Sequence, residues 1–195
     1  MTVIDTTTGG TTPNSKMRWV LGRWPTVLGV AIALLSVMHL TRGAEVAFVL
    51  TASGLVYLGA AALGKRSYAW PMFIGAFVLI TISKFAVVDV DPSLPMLVAA
   101  AGFIVIGVVR GAINRGFTAQ TLAMVAIGAA TLVALNVNPN LDGYLIAGGL
   151  FAHAGWDVYH HRREIVVSRS LAEFCFVLDT LVAIEILIVI WSGSG

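Results

Sequence analysis

Two apolar stretches near the carboxyl end of the chain, where a charge is costly, carry four ionisable side chains that could act together. His153 and Asp157 belong to the first stretch, and Glu173 and Asp179 belong to the second. Imidazole and carboxylate groups one helical turn apart can share a proton, orient each other by hydrogen bonding, or bind a divalent metal ion. Packing two helices together needs no more than one ion pair, so we interpret this group as a proton relay or as an acid and base pair.

The two stretches predict two consecutive helices, the first from Gly143 to Tyr159 and the second from Leu171 to Trp191. Because a short connection makes consecutive helices antiparallel, His153 and Asp179 are expected at the same depth. An acid at the centre of a bilayer costs roughly 2.5–3.5 kcal/mol on insertion scales, which favours an Asp179 side chain that faces the protein interior. We therefore predict a direct contact between His153 and Asp179.

A metal site is the alternative chemistry for the first of these helices. His153, Asp157 and His160 recur at a spacing that places all three on one helical face. Under this alternative they bind a divalent metal ion that activates water, although the spacing matches no established metal motif. A divalent metal is therefore a candidate cofactor for the enzyme interpretation alone.

A basic loop is predicted between the two helices, from His160 to Arg169. Its first residues are candidates for binding a phosphate or carboxylate group of a substrate. The simpler interpretation is that they lie beside anionic lipid head groups. These candidate substrate-binding residues are His160, His161, Arg162 and Arg163.

An ion pair that only stabilises the fold is predicted at the other side of the membrane. Lys84 lies near the end of the third predicted helix, and Glu185 lies in the outer half of the last one. An isolated ammonium group at this depth would be expensive, so we expect Lys84 and Glu185 to pair.

The composition is typical of an integral membrane protein. Of the 195 residues, 58% are hydrophobic and 11% are charged, against about 25% charged residues in an average soluble domain. The mean hydropathy is +0.90. The net charge of +2 comes from basic residues at helix ends, without the basic face that nucleic-acid binding needs. We predict a multi-pass protein of the cell membrane whose partners are the lipid bilayer and a small solute, ion or lipid ligand.

Seven apolar segments, each near the roughly 20 residues that cross a bilayer, predict an all-α polytopic transmembrane bundle. Residues 1–15, rich in Thr and Gly, are expected to form a disordered tail, and residues 16–195 a single seven-helix transmembrane domain. The predicted helices cover approximately residues 26–40, 45–63, 70–88, 96–109, 117–135, 143–159 and 171–191.

The distribution of charge predicts the orientation of this bundle. Lys and Arg residues collect at alternate connections, within residues 16–23, 65–66, 110–115 and 162–169. The other connections carry Asp89, Asp91 and Asp142, with Arg42 as the exception. Because Lys and Arg accumulate in cytoplasmic loops, we place the amino terminus in the cytoplasm and the carboxyl terminus outside.

Small residues recur within the predicted helices, at residues 60–62, 99–102, 107, 111 and 147–149. Small side chains let helix backbones approach closely, either within one bundle or between the subunits of an oligomer.

Three functions remain open on the sequence. The first is a small proton-coupled transporter or an ion or solute pathway, and the second is an intramembrane enzyme acting on a lipid or prenyl-type substrate. The third is a non-catalytic subunit of a membrane complex.

Overall fold

Seven α-helices follow one another along the part of the chain that the computed structural model describes, which is residues 22–38, 40–85, 90–114 and 116–193. No strand occurs in these ranges, so the all-α prediction is confirmed there. The predicted tail, Asp89 and Arg115 lie outside the described residues. The helices are α1 Trp24–Val37, α2 Ala47–Leu63, α3 Ala69–Phe85, α4 Ser93–Val109, α5 Phe117–Ala134, α6 Pro139–Arg163 and α7 Arg169–Trp191.

Four helical segments of the described chain are long and apolar enough to cross a membrane. They are Gly43–Leu63, Arg66–Phe85, Phe117–Ala134 and Arg169–Trp191. The segments Trp24–Ser36 and Ser93–Val109 are apolar but shorter, and α6 is long but more polar than the others. Length and composition therefore support four of the seven predicted spans.

Helix α2 is the central element of the bundle. Fourteen of its 17 residues are buried, whereas α3 buries only Ala69 and Ala76. It packs against α3, α4, α5 and α6, while α7 packs mainly against α6 and α1. The small residues of α2 let four neighbours approach it at once.

Helix α6 is longer at both ends than the sequence predicted. Its first turn is fixed by Asn138, whose side-chain oxygen accepts the backbone N–H of Leu141 at 3.0 Å, and by Pro139 in the first helical position. The helix therefore begins at Pro139, before the predicted start at Gly143.

At its other end, α6 continues through His160 and ends at Arg163. The basic residues 160–163 lie on this helix, so the predicted basic loop is wrong for them. The chain turns only at Glu164 and Val166, whose φ angles of 51° and 63° are incompatible with a continuing right-handed helix. The side chain of Ser168 then caps α7 by accepting the N–H of Leu171.

Glycines bring the helices into contact within the bundle. A Cβ atom on Gly149 of α6 would lie 2.5 Å from a methyl carbon of Leu50 on α2. A Cβ atom on Gly107 of α4 would lie 2.2 Å from the ring of Phe117 on α5. At these positions, small residues serve packing within one chain.

The exception in the charge pattern, Arg42, pairs with Asp142 at the start of α6. Its Nε and Nη2 atoms lie 3.2 and 2.8 Å from the same carboxylate oxygen, and the Asp142 side chain is completely buried. Gly43 and Gly143 adjoin the pair, and a Cβ atom on Gly43 would lie 2.4 Å from the Gly143 Cα. The two backbones are in contact at this point. The charge of Arg42 neutralises the buried carboxylate of Asp142.

Candidate functional site

The predicted contact between α6 and α7 is present at the centre of a buried polar cluster. His153 Nδ1 lies 2.8 Å from an oxygen of Asp179 and 3.4 Å from an oxygen of Asp157. Both carboxylates are completely buried, and the His153 side chain is nearly so. One imidazole nitrogen therefore faces two acids in a space closed to solvent, as the sequence analysis expected for His153 and Asp179.

The central helix supplies two further members of the cluster that the sequence analysis missed. The Tyr57 hydroxyl donates a hydrogen bond to Asp157 Oδ1 at 2.5 Å, and the Ser53 hydroxyl donates one to Asp179 Oδ1 at 3.1 Å. The Tyr57 ring also meets the His153 ring edge to face, with centroids 5.0 Å apart. Ser53 and Tyr57 lie one turn apart in a segment whose other polar residue is Thr51, and this spacing was the signal that could have identified them.

Each carboxylate thus has one oxygen held from α2 and the other turned toward His153. We call His153, Asp157, Asp179, Tyr57 and Ser53 the central cluster. Asp157 Oδ2 and His153 Nε2 are buried and have no hydrogen-bond partner among the described residues. The cluster holds more acceptors than donors, so a proton has several alternative positions within it.

The central cluster also has the donor set of a metal site. Atoms of His153, Asp157 and Asp179 lie within 4.8 Å of one another. Separations of 2.8 and 3.4 Å between His153 Nδ1 and the carboxylate oxygens suit neighbouring ligands of a divalent ion bound at about 2.1 Å. Tyr57 and Ser53 would then orient the two carboxylates from the second coordination sphere.

His160, which the sequence analysis included as a metal ligand, belongs to a different network. Its Nδ1 donates to the carbonyl oxygen of Trp156 at 2.8 Å, so its Nε2 accepts the amide N–H of Gln120 at 3.0 Å. The Gln120 carbonyl in turn accepts the indole N–H of Trp156 at 3.1 Å. Both ring nitrogens of His160 are engaged, so the side chains close enough to hold a metal ion together are His153, Asp157 and Asp179, without His160.

Glu173, the fourth predicted member of the relay, lies outside the central cluster. Its carboxylate accepts a hydrogen bond from Thr26 at 2.5 Å and pairs with Arg23 at 3.4 Å, both near the start of α1. It lines a cavity of about 260 Å³, which we call the basic-end cavity, and the completely buried Asp157 lines the same cavity. Glu173 and Asp157 therefore share a cavity without touching.

The basic residues that were predicted to bind substrate divide into two groups. His161 and Arg162 line the basic-end cavity. Arg163 is exposed, and His160 is buried in its network with Gln120. Two of the four, His161 and Arg162, therefore lie where a solute in this cavity would meet them, and their role in substrate binding stays a prediction.

Lys84 and Glu185 do not form the predicted ion pair. The Lys84 ammonium instead lies over the ring of Phe48, 5.2 Å from its centroid. Because α3 packs on α2 rather than on α7, a partner on α2 replaces the one expected on α7. Lys84 and Glu45 line a groove of about 520 Å³, which we call the far-end groove.

A small apolar cavity of about 80 Å³ extends from the far-end groove toward the central cluster. Ser36 and Phe48 border both spaces, and Ser53 lines the small cavity. Ser53 is the residue that donates to Asp179. The central cluster is thus approached from one side at Asp157 and from the other at Ser53.

Comparisons with known proteins leave this site to be interpreted from its own geometry. No protein family, no curated protein and no solved structure matches the chain.

Proposed function

We propose that the chain is a seven-span membrane protein that conducts protons through the central cluster, coupled to the passage of a small solute or ion. The observation that carries the proposal is a line of buried groups from Ser53 through Asp179 and His153 to Asp157, in which neighbouring atoms lie 2.8–3.4 Å apart, with a cavity at each end. Chains of acids and imidazoles are the usual components of proton relays in membranes.

Proton transfer along this line needs only short steps. A proton that reaches Asp157 from the basic-end cavity can pass to His153, whose Nδ1 faces both acids, and then to Asp179. Ser53 then connects Asp179 with the small apolar cavity and the far-end groove. Tyr57 holds the other oxygen of Asp157 and so keeps that acid turned toward His153.

The basic-end cavity is the side that we assign to the cytoplasm. Arg23 and Arg162 line it, and Arg66 and Arg169 pair with Glu164 just beyond α6. Positive side chains at one end of a membrane bundle favour the cytoplasmic side. Solute would therefore enter or leave between α1, α6 and α7 on that side.

The proposal is tested by proton flux in liposomes that contain a pH-sensitive dye and the purified protein. We expect the parent to admit protons under an imposed membrane potential and the Asp179→Asn variant to lose most of this flux. Glu185→Gln, which changes a half-buried acid of the same helix outside the cluster, is the matched control. Flux that is absent from the parent, or equal in the parent and Asp179→Asn, would contradict the proposal.

A metal-dependent intramembrane enzyme is the second candidate, and the convergence of His153, Asp157 and Asp179 favours it. A divalent ion held there would activate water against a lipid-soluble substrate. Metal analysis of the purified parent beside an Asp157→Asn/Asp179→Asn variant separates the two functions. Near-stoichiometric metal in the parent alone would favour the enzyme, whereas its absence from both would favour the proton pathway.

A further inference from the structure

An apolar groove runs along the outside of the bundle between α2, α5 and α6, and it ends at the central cluster. Its volume is about 350 Å³, within the range of roughly 300–1,000 Å³ that is common for small-molecule sites. Small side chains form its walls, including Ala126 on α5 and Gly149 and Ala152 on α6. Ala126 and Ala152 are exposed, so the groove is open to the surroundings of the bundle.

His153 is the polar group at the inner end of this groove. Its Nδ1 is turned to the two carboxylates, which leaves Nε2 on the opposite edge of the ring. The Nε2 atom is buried and has no hydrogen-bond partner among the described residues, and the residue itself lines the groove. A buried nitrogen without a partner costs about 1–3 kcal/mol, so a ligand that bonds to it gains accordingly.

We propose that this groove binds a lipid-soluble alcohol, with its apolar chain along the alanines and its hydroxyl group against His153 Nε2. A hydroxyl group both donates and accepts, so it bonds to Nε2 whichever ring nitrogen of His153 carries the proton. A fatty acid is disfavoured because its carboxylate would lie near Asp157 and Asp179 in a medium that screens charge poorly. An alkane would leave the nitrogen without a partner.

The alcohol site shares His153 with the proposed proton pathway but does not depend on proton movement. The test of the alcohol site therefore measures only the binding of the alcohol. If one of the two proposals fails, the other is still tested by its own experiment. Because His153 belongs to the proposed proton relay, an alcohol hydroxyl bonded to Nε2 would contact the relay from the lipid-facing side of the bundle.

The test uses the full chain in lipid nanodiscs and a long-chain primary alcohol that carries a photoactivatable diazirine. Labelled sites are mapped by mass spectrometry, and a matching diazirine alkane without the hydroxyl group is the comparison probe. Hydrogen bonding to Nε2 predicts about fivefold more labelling of α5 and α6 by the alcohol than by the alkane.

Groove-filling variants show whether the labelling comes from the groove. We expect Ala126→Phe to reduce alcohol labelling about tenfold, because the ring fills the space between α5 and α6. Ala129→Phe is the matched control, since Ala129 is exposed on α5 and does not line the groove. Both variants should melt at the parent temperature. Equal labelling by alcohol and alkane, or labelling unchanged in Ala126→Phe, would show ordinary contact with bilayer lipid and would overturn the inference.

Discussion

At the scale of single residues, the central cluster is held together by groups from three helices. His153 and Asp157 come from α6, Asp179 from α7, and Tyr57 with Ser53 from α2. Each carboxylate has one oxygen that accepts a hydrogen bond from α2 and a second oxygen that faces His153. A buried polar network lowers the stability of the fold when any member lacks a hydrogen-bond partner. Each hydrogen bond in the cluster therefore affects the stability of the whole cluster.

Tyr57→Phe tests how much one of these bonds contributes. The change removes the only hydroxyl that bonds to Asp157 in the described chain and leaves the ring packed against His153. We expect the free energy of unfolding to fall by about 1–3 kcal/mol, because a buried carboxylate oxygen loses its donor. Thermal unfolding in detergent measures the effect.

Tyr68→Phe is the control for this prediction, since Tyr68 is partly exposed and outside the cluster. We expect its stability to stay within about 0.5 kcal/mol of the parent, as is usual for surface changes. A Tyr57→Phe protein that melts like Tyr68→Phe would show that Asp157 does not depend on the hydroxyl.

At the scale of helices, α6 is positioned by one close approach and by one ion pair that has a buried acid. Gly149 lets its middle lie directly on Leu50 of α2. Arg42, in the segment before α2, reaches Asp142 in the first turn of α6. These two contacts set the depth and rotation of α6, and hence the position of His153.

Two neighbouring glycines of α6 should respond to alanine in opposite directions. Gly149→Ala places a methyl group 2.5 Å from Leu50, and the resulting overpacking should cost about 1–3 kcal/mol. A Cβ atom on Gly148 meets no neighbour within 4 Å, so Gly148→Ala should stabilise the helix by about 0.5–1 kcal/mol. Melting temperatures of the two variants check this pair, and a shared sign would contradict the packing of α6 on α2.

The ion pair at the start of α6 joins a buried acid to a partly exposed arginine, and removing the arginine is predicted to have a large effect. Arg42→Ala leaves the carboxylate of Asp142 buried and unpaired, a loss of roughly 3–5 kcal/mol in comparable pairs. We expect the lower end of this range, since the Arg42 side chain is 42% exposed. Denaturation of the purified variant measures the loss.

A second arginine serves as the control for Arg42. Arg66 pairs with the half-exposed Glu164, so Arg66→Ala should cost only about 0–1 kcal/mol. The double variant Arg42→Ala/Asp142→Ala should recover part of the stability lost in Arg42→Ala. Equal losses in Arg42→Ala and Arg66→Ala would contradict a special role for the buried acid.

At the scale of the whole molecule, charge is distributed unequally between the two ends of the bundle. Arg23, Arg66, Arg162 and Arg169 surround the basic-end cavity or lie beside it. At the other end, the positive charge of Arg42 is balanced by Asp142. The orientation inferred from sequence, with Arg42 as its exception, stays a prediction.

Cysteine labelling in cells tests the proposed orientation. We expect Arg163→Cys, in the last turn of α6, to react with a membrane-impermeant maleimide only after the cells are opened. Asn140→Cys, in the exposed first turn of the same helix, should react in intact cells. The native Cys175 is buried and gives a low background. Labelling of both positions from the same side would contradict a helix that crosses the membrane.

Much of the fold could be predicted from the sequence, because apolar segments with prolines and charges between them mark helices and their connections. The observed helices differ from the predicted ones mainly at the ends of α6. Those ends depend on the Asn138 cap and on the left-handed turn at Glu164. The contact of His153 with Asp179 was also predictable, since it follows from two adjacent antiparallel helices.

The partners that come from distant parts of the chain were decided only by the tertiary structure. Sequence spacing places residues on a helical face but does not say which helix that face meets. Tyr57 lies 100 residues before Asp157, and Gln120 lies 40 before His160, so neither pair has a local signal. The sequence alone determined which groups are too costly to face lipid, through their depth and charge. The packing of small residues around α2 determined which of those groups meet.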